Sequence, residues 1–423
     1  MSATNASKSV SLNMYQALGA VSCVLSLTYC LILNADPTGD FNGLLDNPIG
    51  RYLPVVGMIA TIFLFVLGGF SPRVLTNGPI VLLFLLASTM ALGSFVQLSS
   101  GASVENSFLG RSAVMFCVLT GGLVAANDRA MALVTNNVLP IFVLSAAMGI
   151  VFLILRSLDL AFTNQVHILR VEQIFFVAGF AWLSRRYRSA FLRYALFALF
   201  LWIAYETGKS TMTLLALVFF ALTFGVSAAE RIGSLYQTKK ISRGLLRFLI
   251  GLFVVIGLSI LFYFAYEIIS ERGVRYQNDL RLEMWKARWS LFLESPIVGS
   301  LFSDSPLYAS PILRGMELST HNDFLDLLAF GGIISLAVFT AATIPIYVRL
   351  IKSSFFANRG TALRDDAIFG MLLLCYLVAS IGNPIFSTPR LAVPIWFSIG
   401  ILAVTQLRNS NMRSGALKVR VSR

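Results

Sequence analysis

Residues 52–70 read YLPVVGMIATIFLFVLGGF, and residues 78–97 read GPIVLLFLLASTMALGSFVQ. Neither run holds a charged side chain, and the linker between them, Ser71 to Asn77, carries only Arg73. Each run approaches the roughly 20 apolar residues that a helix needs to cross a hydrocarbon core of about 30 Å. Ser71-Pro72 marks the turn between them, because proline cannot continue a helix hydrogen-bond ladder. The two runs read as neighbouring transmembrane helices, and the pattern recurs along the chain.

Of the 423 residues, 57% are hydrophobic and only 13% are charged. An ordinary soluble domain carries about a quarter charged residues, and disorder requires low hydrophobicity. Both classes are excluded. The net charge of +13 would point to nucleic acid only if a water-exposed basic domain existed. Little soluble chain remains to form one, so no nucleic-acid partner is expected. Cys23, Cys30, Cys117 and Cys375 each lie in an apolar run, no CxxC pair is present, and His167 and His321 are far apart. Neither a metal site nor a disulfide framework is expected. The first apolar run follows a single lysine, Lys8, with no small-residue cleavage pattern, and is expected to stay as a first transmembrane helix.

The expected architecture is all-α: a single membrane domain over 1–423 with about twelve spans. These are 12–33, 52–70, 78–97, 109–126, 135–155, 168–184, 190–206, 210–229, 245–266, 324–348, 366–382 and 390–407. Most of the 33 lysines and arginines follow even-numbered spans or lie at the termini. Arg185, Arg186, Arg188 and Arg193 follow the sixth span, and Arg231, Lys239, Lys240, Arg243 and Arg247 the eighth. Arg349, Lys352, Arg359 and Arg364 follow the tenth, and the C-terminal tail adds Arg408, Arg413, Lys418, Arg420 and Arg423. The first opposite-side loop is acidic, with Asp36, Asp40 and Asp46. Positive charge resists translocation, so both termini are expected in the cytoplasm.

One extracytoplasmic connection, 267–323, is about 57 residues long, and a loop of that length is usually functional or disordered. It holds Trp285, Trp289, Phe292 and several prolines, which favours order. Within it, residues 280–293 read as an amphipathic helix with Leu282, Trp285, Trp289 and Phe292 on one stripe. Such a helix either lies in the membrane interface or packs on top of the bundle, and the two are compatible. Arg272, Arg275, Arg281, Lys286 and Arg288 gather there against Asp279 and Glu283 only. The cluster is either a solvated, ion-paired face or an anion site, for which Arg offers a planar fork of donors. The loop ends in Ser319-Thr320-His321-Asn322-Asp323. Thr320-x-x-Asp323 fits a capping box that would make His321 the first helical residue. A helix N-terminus disfavours the imidazolium, which suits a general base; a purely structural histidine remains the alternative. His167, at the outer end of the sixth span, reads as an interfacial histidine.

Glu206-Thr207-Gly208-Lys209-Ser210-Thr211 suggests a phosphate loop, but Ile203 stands where that motif needs glycine. Neither the strand nor the cytoplasmic location is present. Lys209 is left as a cation at the membrane mouth on the side of the long loop, either snorkelling or binding an anion.

Arg281-x-x-x-Trp285, Ser295-Pro296-Ile297-Val298-Gly299, and His321-Asn322 followed nine residues later by Gly332 resemble the O-antigen ligase and polymerase superfamily of bacterial inner-membrane glycosyltransferases. The outline of spans and the late loop ending in His-Asn resemble that family too. The resemblance implies an enzyme that moves a glycan from undecaprenyl diphosphate to a sugar hydroxyl at the periplasmic face, in lipopolysaccharide or exopolysaccharide synthesis. It implies His321 as the base, with Asn322 supporting it, and Arg281 as a diphosphate ligand. Lys209 stands where the family has a second arginine, with Arg275 and Arg272 able to compensate. No cofactor or metal is implied. The acceptor is lipid A-core for a ligase or a second lipid-linked glycan for a polymerase, the latter with a chain-length regulator as a further partner. Ser335 and Lys209 depart from the ligase pattern. Fixed cations beside a departing diphosphate would stabilise its developing charge.

Two other readings compete. A twelve-span transporter or flippase would be expected to show similar halves and mid-membrane ionisable residues, and neither is evident. A cell-wall glycan polymerase would be expected to use a loop carboxylate, for which Asp304 is the candidate.

Overall fold

The computed structural model describes residues 12–35, 47–101, 107–157, 276–310, 316–319, 322–355 and 388–421, with isolated positions at 195, 198 and between 369 and 386. The described chain is mostly helical. Helix α1 (Met14–Ala35) packs on α2 (Pro48–Leu67), and two hydroxyls bridge them. Ser22 Oγ donates to the carbonyl of Gly57 at 2.9 Å, and Thr61 Oγ1 to that of Gly19 at 3.1 Å. Small residues and hydroxyls at a helix contact are how helices approach one another in a lipid setting, where lipid competes for every apolar surface.

The Ser71–Asn77 linker contains a short 3-10 turn, Pro72–Val74. Asn77 then caps α3 (Gly78–Ser99), accepting from the amide of Ile80 and donating to the carbonyl of Ala403 at 3.1 Å. The fourth span is two consecutive helices, α4 (Leu109–Met115) and α5 (Cys117–Ala126), which meet at Phe116. Helix α6 (Asp128–Ser157) contains the expected span 135–155 and starts a full turn or more before it. Helix α7 (Tyr276–Glu294) is followed by strands β1 (Leu307–Ser310) and β2 (Met316–Ser319). Helices α8 (Asp323–Phe355) and α9 (Pro389–Val421) complete the order. Helix α9 lies against α5 with backbones nearly touching, since a Cβ on Gly121 would strike the carbonyl of Phe397. Phe339, Phe386 and Trp396 stack between α8 and α9, with Phe386 and Trp396 centroids 4.8 Å apart.

Among the described residues, five stretches are long and apolar enough to cross a membrane: Met14–Leu33, Ile49–Leu67, Gly78–Ser99, Leu109–Ala126 and Asp323–Val348. Pro389–Thr405 is a shorter apolar stretch. They coincide with the first four expected spans, the tenth and the twelfth. Expected spans 168–184, 190–206, 210–229, 245–266 and 366–382 lie outside the described residues, isolated positions excepted. What is seen makes this a helical membrane protein.

In the long loop, helix α7 is followed by a small antiparallel hairpin, β1 and β2 pairing Leu307 opposite Ser319 through Ser310 opposite Met316. Helix α8 does not open with a Thr320 capping box. Asn322 is the cap, its Oδ1 accepting from the amides of Phe324 at 3.1 Å and Leu325 at 3.0 Å. The Asp323 side chain turns to other partners, the amides of Ile385 and Phe386, and His321 lies outside the described residues. Helix α7 has one buried side and one outward side. Met284 and Arg288 are buried and Leu291 packs on the core, whereas Leu282 and Trp289 are each half exposed. The helix does both things its sequence allowed: it packs on α8 through one face and leaves tryptophan outward.

The tenth span is broken. Gly332 has φ 62° and ψ −171°, a region that is essentially glycine-only. The break frees backbone groups in an apolar setting, where each unpaired one is costly. Residues 295–302 take them up: the amide of Ile333 donates to the carbonyl of Pro296 at 2.9 Å, and that of Ile334 to Ile297 at 3.2 Å. In return, Phe302 donates to the carbonyl of Phe330 at 3.1 Å. The approach is so close that a Cβ on Gly332 would overlap the carbonyl of Ile297.

Gly332→Ala is therefore expected to destabilise the protein by at least about 1–3 kcal/mol from backbone strain. It should appear as a lowered thermal unfolding midpoint in detergent. Gly78→Ala, where an added Cβ meets open space, should change little.

Candidate functional site

The described part of the site is built where α7, the hairpin and the first turn of α8 meet. Asp323 and Asp326 are three residues apart, so they share a face of α8, and both are buried. Asp323 accepts from the amide of Ile385 at 3.0 Å and from that of Phe386 at 3.2 Å, tying the segment before α9 to the start of α8. Asp326 lies between two arginines. Arg111 of α4 donates from Nη1 to its Oδ2 at 2.7 Å, and Arg288 of α7 holds Nε 3.4 Å from Oδ1. Arg288 also donates to the carbonyl of Pro306 at 2.6 Å, which fixes the entry to β1. Burial pulls the Arg288 pKa below its ordinary value, and the carboxylate of Asp326 pushes the other way. An arginine remains charged under such a shift.

A layer of phenylalanine underlies these charges. The Arg288 guanidinium sits 4.5 Å from the Phe330 ring centroid, and that of Arg111 sits 5.0 Å from Phe108. Phe108 makes edge contacts with Phe302 at 5.1 Å and with Phe330 at 4.8 Å. Guanidinium over an aromatic face is favourable, and the rings separate the charges from the apolar bundle. The cavity beside Arg111, Asp323 and Asp326 has room for about one water molecule. No phosphate or sugar fits there, so this cluster is a clasp between helices.

Of the predicted residues, Arg281 and Asn322 are among the described ones. Arg281 lies on the same stripe of α7 as Met284 and Arg288, about 10 Å along the helix from Arg288. It is partly buried, and desolvation lowers its pKa. Among the described residues no carboxylate pairs with it. Two residues on, Glu283 accepts a hydrogen bond from the Tyr308 hydroxyl at 2.8 Å, which holds β1 along α7. That hydrogen bond is the main reason the Tyr308 pKa is raised. Lys286 is exposed. Asn322 is the cap of α8, a structural task that its sequence position alone did not distinguish from a chemical one. His321, Lys209, Arg275 and Arg272 lie outside the described residues. Ser319 pairs with Leu307, next to the Pro306 that holds Arg288, and Asn322 opens α8. Asp304 is exposed.

Arg111 and Asp326 escaped the sequence reading, although two acidic residues in the first turn of an apolar span are a usable signal for an interior polar contact. Among the described residues, no group of three His, Cys, Asp or Glu is placed to hold a metal ion. Comparison with protein-family models and with curated proteins finds no match for the chain.

Asp326→Asn would leave two buried arginines without their shared carboxylate. A loss of about 3–5 kcal/mol is expected, read as a large drop in the unfolding midpoint, while Asp304→Asn on the exposed surface should be near neutral. Asn322→Ala should cost about 1 kcal/mol through the lost cap, and Asn322→Asp should restore most of it.

Proposed function

We propose that the protein is a glycosyltransferase of the O-antigen ligase and polymerase type, in the bacterial inner membrane with both termini cytoplasmic and its site periplasmic. It would transfer a glycan from an undecaprenyl-diphosphate donor to a sugar hydroxyl in lipopolysaccharide or exopolysaccharide synthesis. The observation that carries this reading is the interlock of the resembling motifs. Ser295–Gly299 bonds to the break at Gly332, and the helix bearing Arg281 is clasped to the helix that begins just after His321. Segments far apart in sequence that share a family pattern thus support one local structure.

In this scheme His321 accepts the proton of the acceptor hydroxyl as that oxygen attacks the anomeric carbon. The bond from that carbon to the diphosphate breaks, and the lipid diphosphate leaves with the electron pair. Arg281 holds the diphosphate, since a partly desolvated guanidinium gains most from an anionic partner. Arg272, Arg275 and Lys209 would add positive charge to the donor site in this scheme. The acceptor is lipid A-core or a second lipid-linked glycan, and the reaction needs no metal.

A purified-protein assay with a defined lipid-linked donor tests this reading. His321→Ala should abolish transfer while donor binding persists, and full activity would remove the base assignment. Arg281→Ala should impair donor use far more than Arg281→Lys; equal losses would count against bidentate phosphate recognition. EDTA should leave the rate unchanged. Offering lipid A-core or a second donor as the acceptor separates ligase from polymerase. Absence of transfer to either, with lipid-linked substrate moved across vesicles instead, would favour the transporter reading.

A further inference from the structure

Residues 295–303, Ser-Pro-Ile-Val-Gly-Ser-Leu-Phe-Ser, contain no charge and are bracketed by Glu294 and Asp304. Their contacts with α8 form a ladder. Arg288 meets Asp326 before the segment begins. Pro296 and Ile297 then accept from Ile333 and Ile334. Phe302 next bonds Phe330, and Pro306 is back at Arg288. The chain therefore descends along α8 by about two turns past Asp326 and climbs back.

The depth of that descent follows from α8. Its apolar stretch ends at Val348, before Arg349. Counting back the roughly 20 residues that span a hydrocarbon core places the other boundary near Ala329. Ile333 and Ile334 then lie about 6–8 Å inside it, at 1.5 Å per residue, and the segment bonded to them lies at the same level. The exposed surface agrees with this placement. Ile297 is 63% and Leu301 54% exposed, and Ile333 and Ile334 of α8 are exposed beside them. On α3, the backbone of Leu301 and Phe302 abuts Gly93, next to the exposed Leu92, Phe95 and Val96. These side chains continue the outward face of the spanning helices.

The backbone is prepared for such a setting. Gly299 donates to Ser295, Leu301 to Val298 and Ser303 to Ser300 within the segment, besides the bonds to α8. Ser295 Oγ donates to the Gly299 carbonyl at 3.0 Å. Non-helical backbone at membrane depth is tolerated where its polar groups are paired inside the protein.

We propose that residues 295–302 are a re-entrant tip that inserts into the bilayer leaflet nearest α7, with Ile297, Val298 and Leu301 packed against lipid acyl chains. The outward Trp289 of α7 then lies at the interface just above, where tryptophan is favoured. This is independent of any transferase activity, and neither result decides the other.

The test uses the full chain in liposomes. Ile297→Cys and Leu301→Cys are spin-labelled and compared with Ala309→Cys on β1, which is exposed, with labelled wild type giving the background. Collision with oxygen should exceed collision with a water-soluble nickel chelate several-fold more at 297 and 301 than at 309. Equal ratios at all three sites would overturn the proposal. Dipolar broadening at 297 that disappears on dilution with lipid would assign the face to a second copy of the chain and overturn it as well. In unmodified protein, a lipid with a photoactivatable group on its acyl chain should crosslink to the peptide containing 295–302. Failure to label that peptide while α3 is labelled would equally refute the insertion, whatever the cysteine variants do.

Discussion

A helix that stops inside an apolar environment must give its freed amides and carbonyls to other partners, and at Gly332 that requirement shapes everything around it. The amides of Ile333 and Ile334 reach the carbonyls of Pro296 and Ile297, so the segment after α7 passes directly against the break. Glycine is needed because the chain turns through φ 62° and because no Cβ fits against Ile297. Once that segment is seated, α7 is drawn onto α8, Arg288 comes within reach of Asp326, and the hairpin starting at Leu307 returns the chain to Asn322.

The buried charges serve this arrangement more than they stabilise it outright. Desolvating two guanidinium groups and a carboxylate costs much of what their attraction returns. Their value lies in geometry: Asp326 joins Arg111 and Arg288, so α4, α7 and α8 meet in one register. The phenylalanines Phe108, Phe302 and Phe330 close the cluster toward the bundle. Arg281 lies further along the same stripe, outside this closed set. That division sets Arg281 apart from the arginine fixed in the clasp.

Helix α7 is legible in the sequence as an amphipathic helix, free to lie in the interface or to pack on the bundle. Here Met284 and Arg288 are buried, and Trp289 faces out. Tryptophan is favoured at a membrane–water interface, whereas Arg288 is held inward by the carboxylate of Asp326. At the start of α8, Asn322 is the cap and Asp323 accepts from the amides of Ile385 and Phe386.

By itself the sequence determined the medium and the helices. Uncharged runs near 20 residues, such as 78–97, can only be satisfied by a helix in lipid, and α1, α2, α3, the α4–α5 pair and α8 lie where those runs are. It also marked 280–293 as a helix and Arg281 as a cation on it. The tertiary structure alone decided which side of that helix is interior, that Arg111 and Asp326 meet although 215 residues separate them, and that Ser295–Gly299 fills the break at Gly332. Span formation depends on local hydrophobicity, which a window of sequence contains. Pairing of buried charges and repair of a broken helix depend on partners distant in the chain, which no window contains.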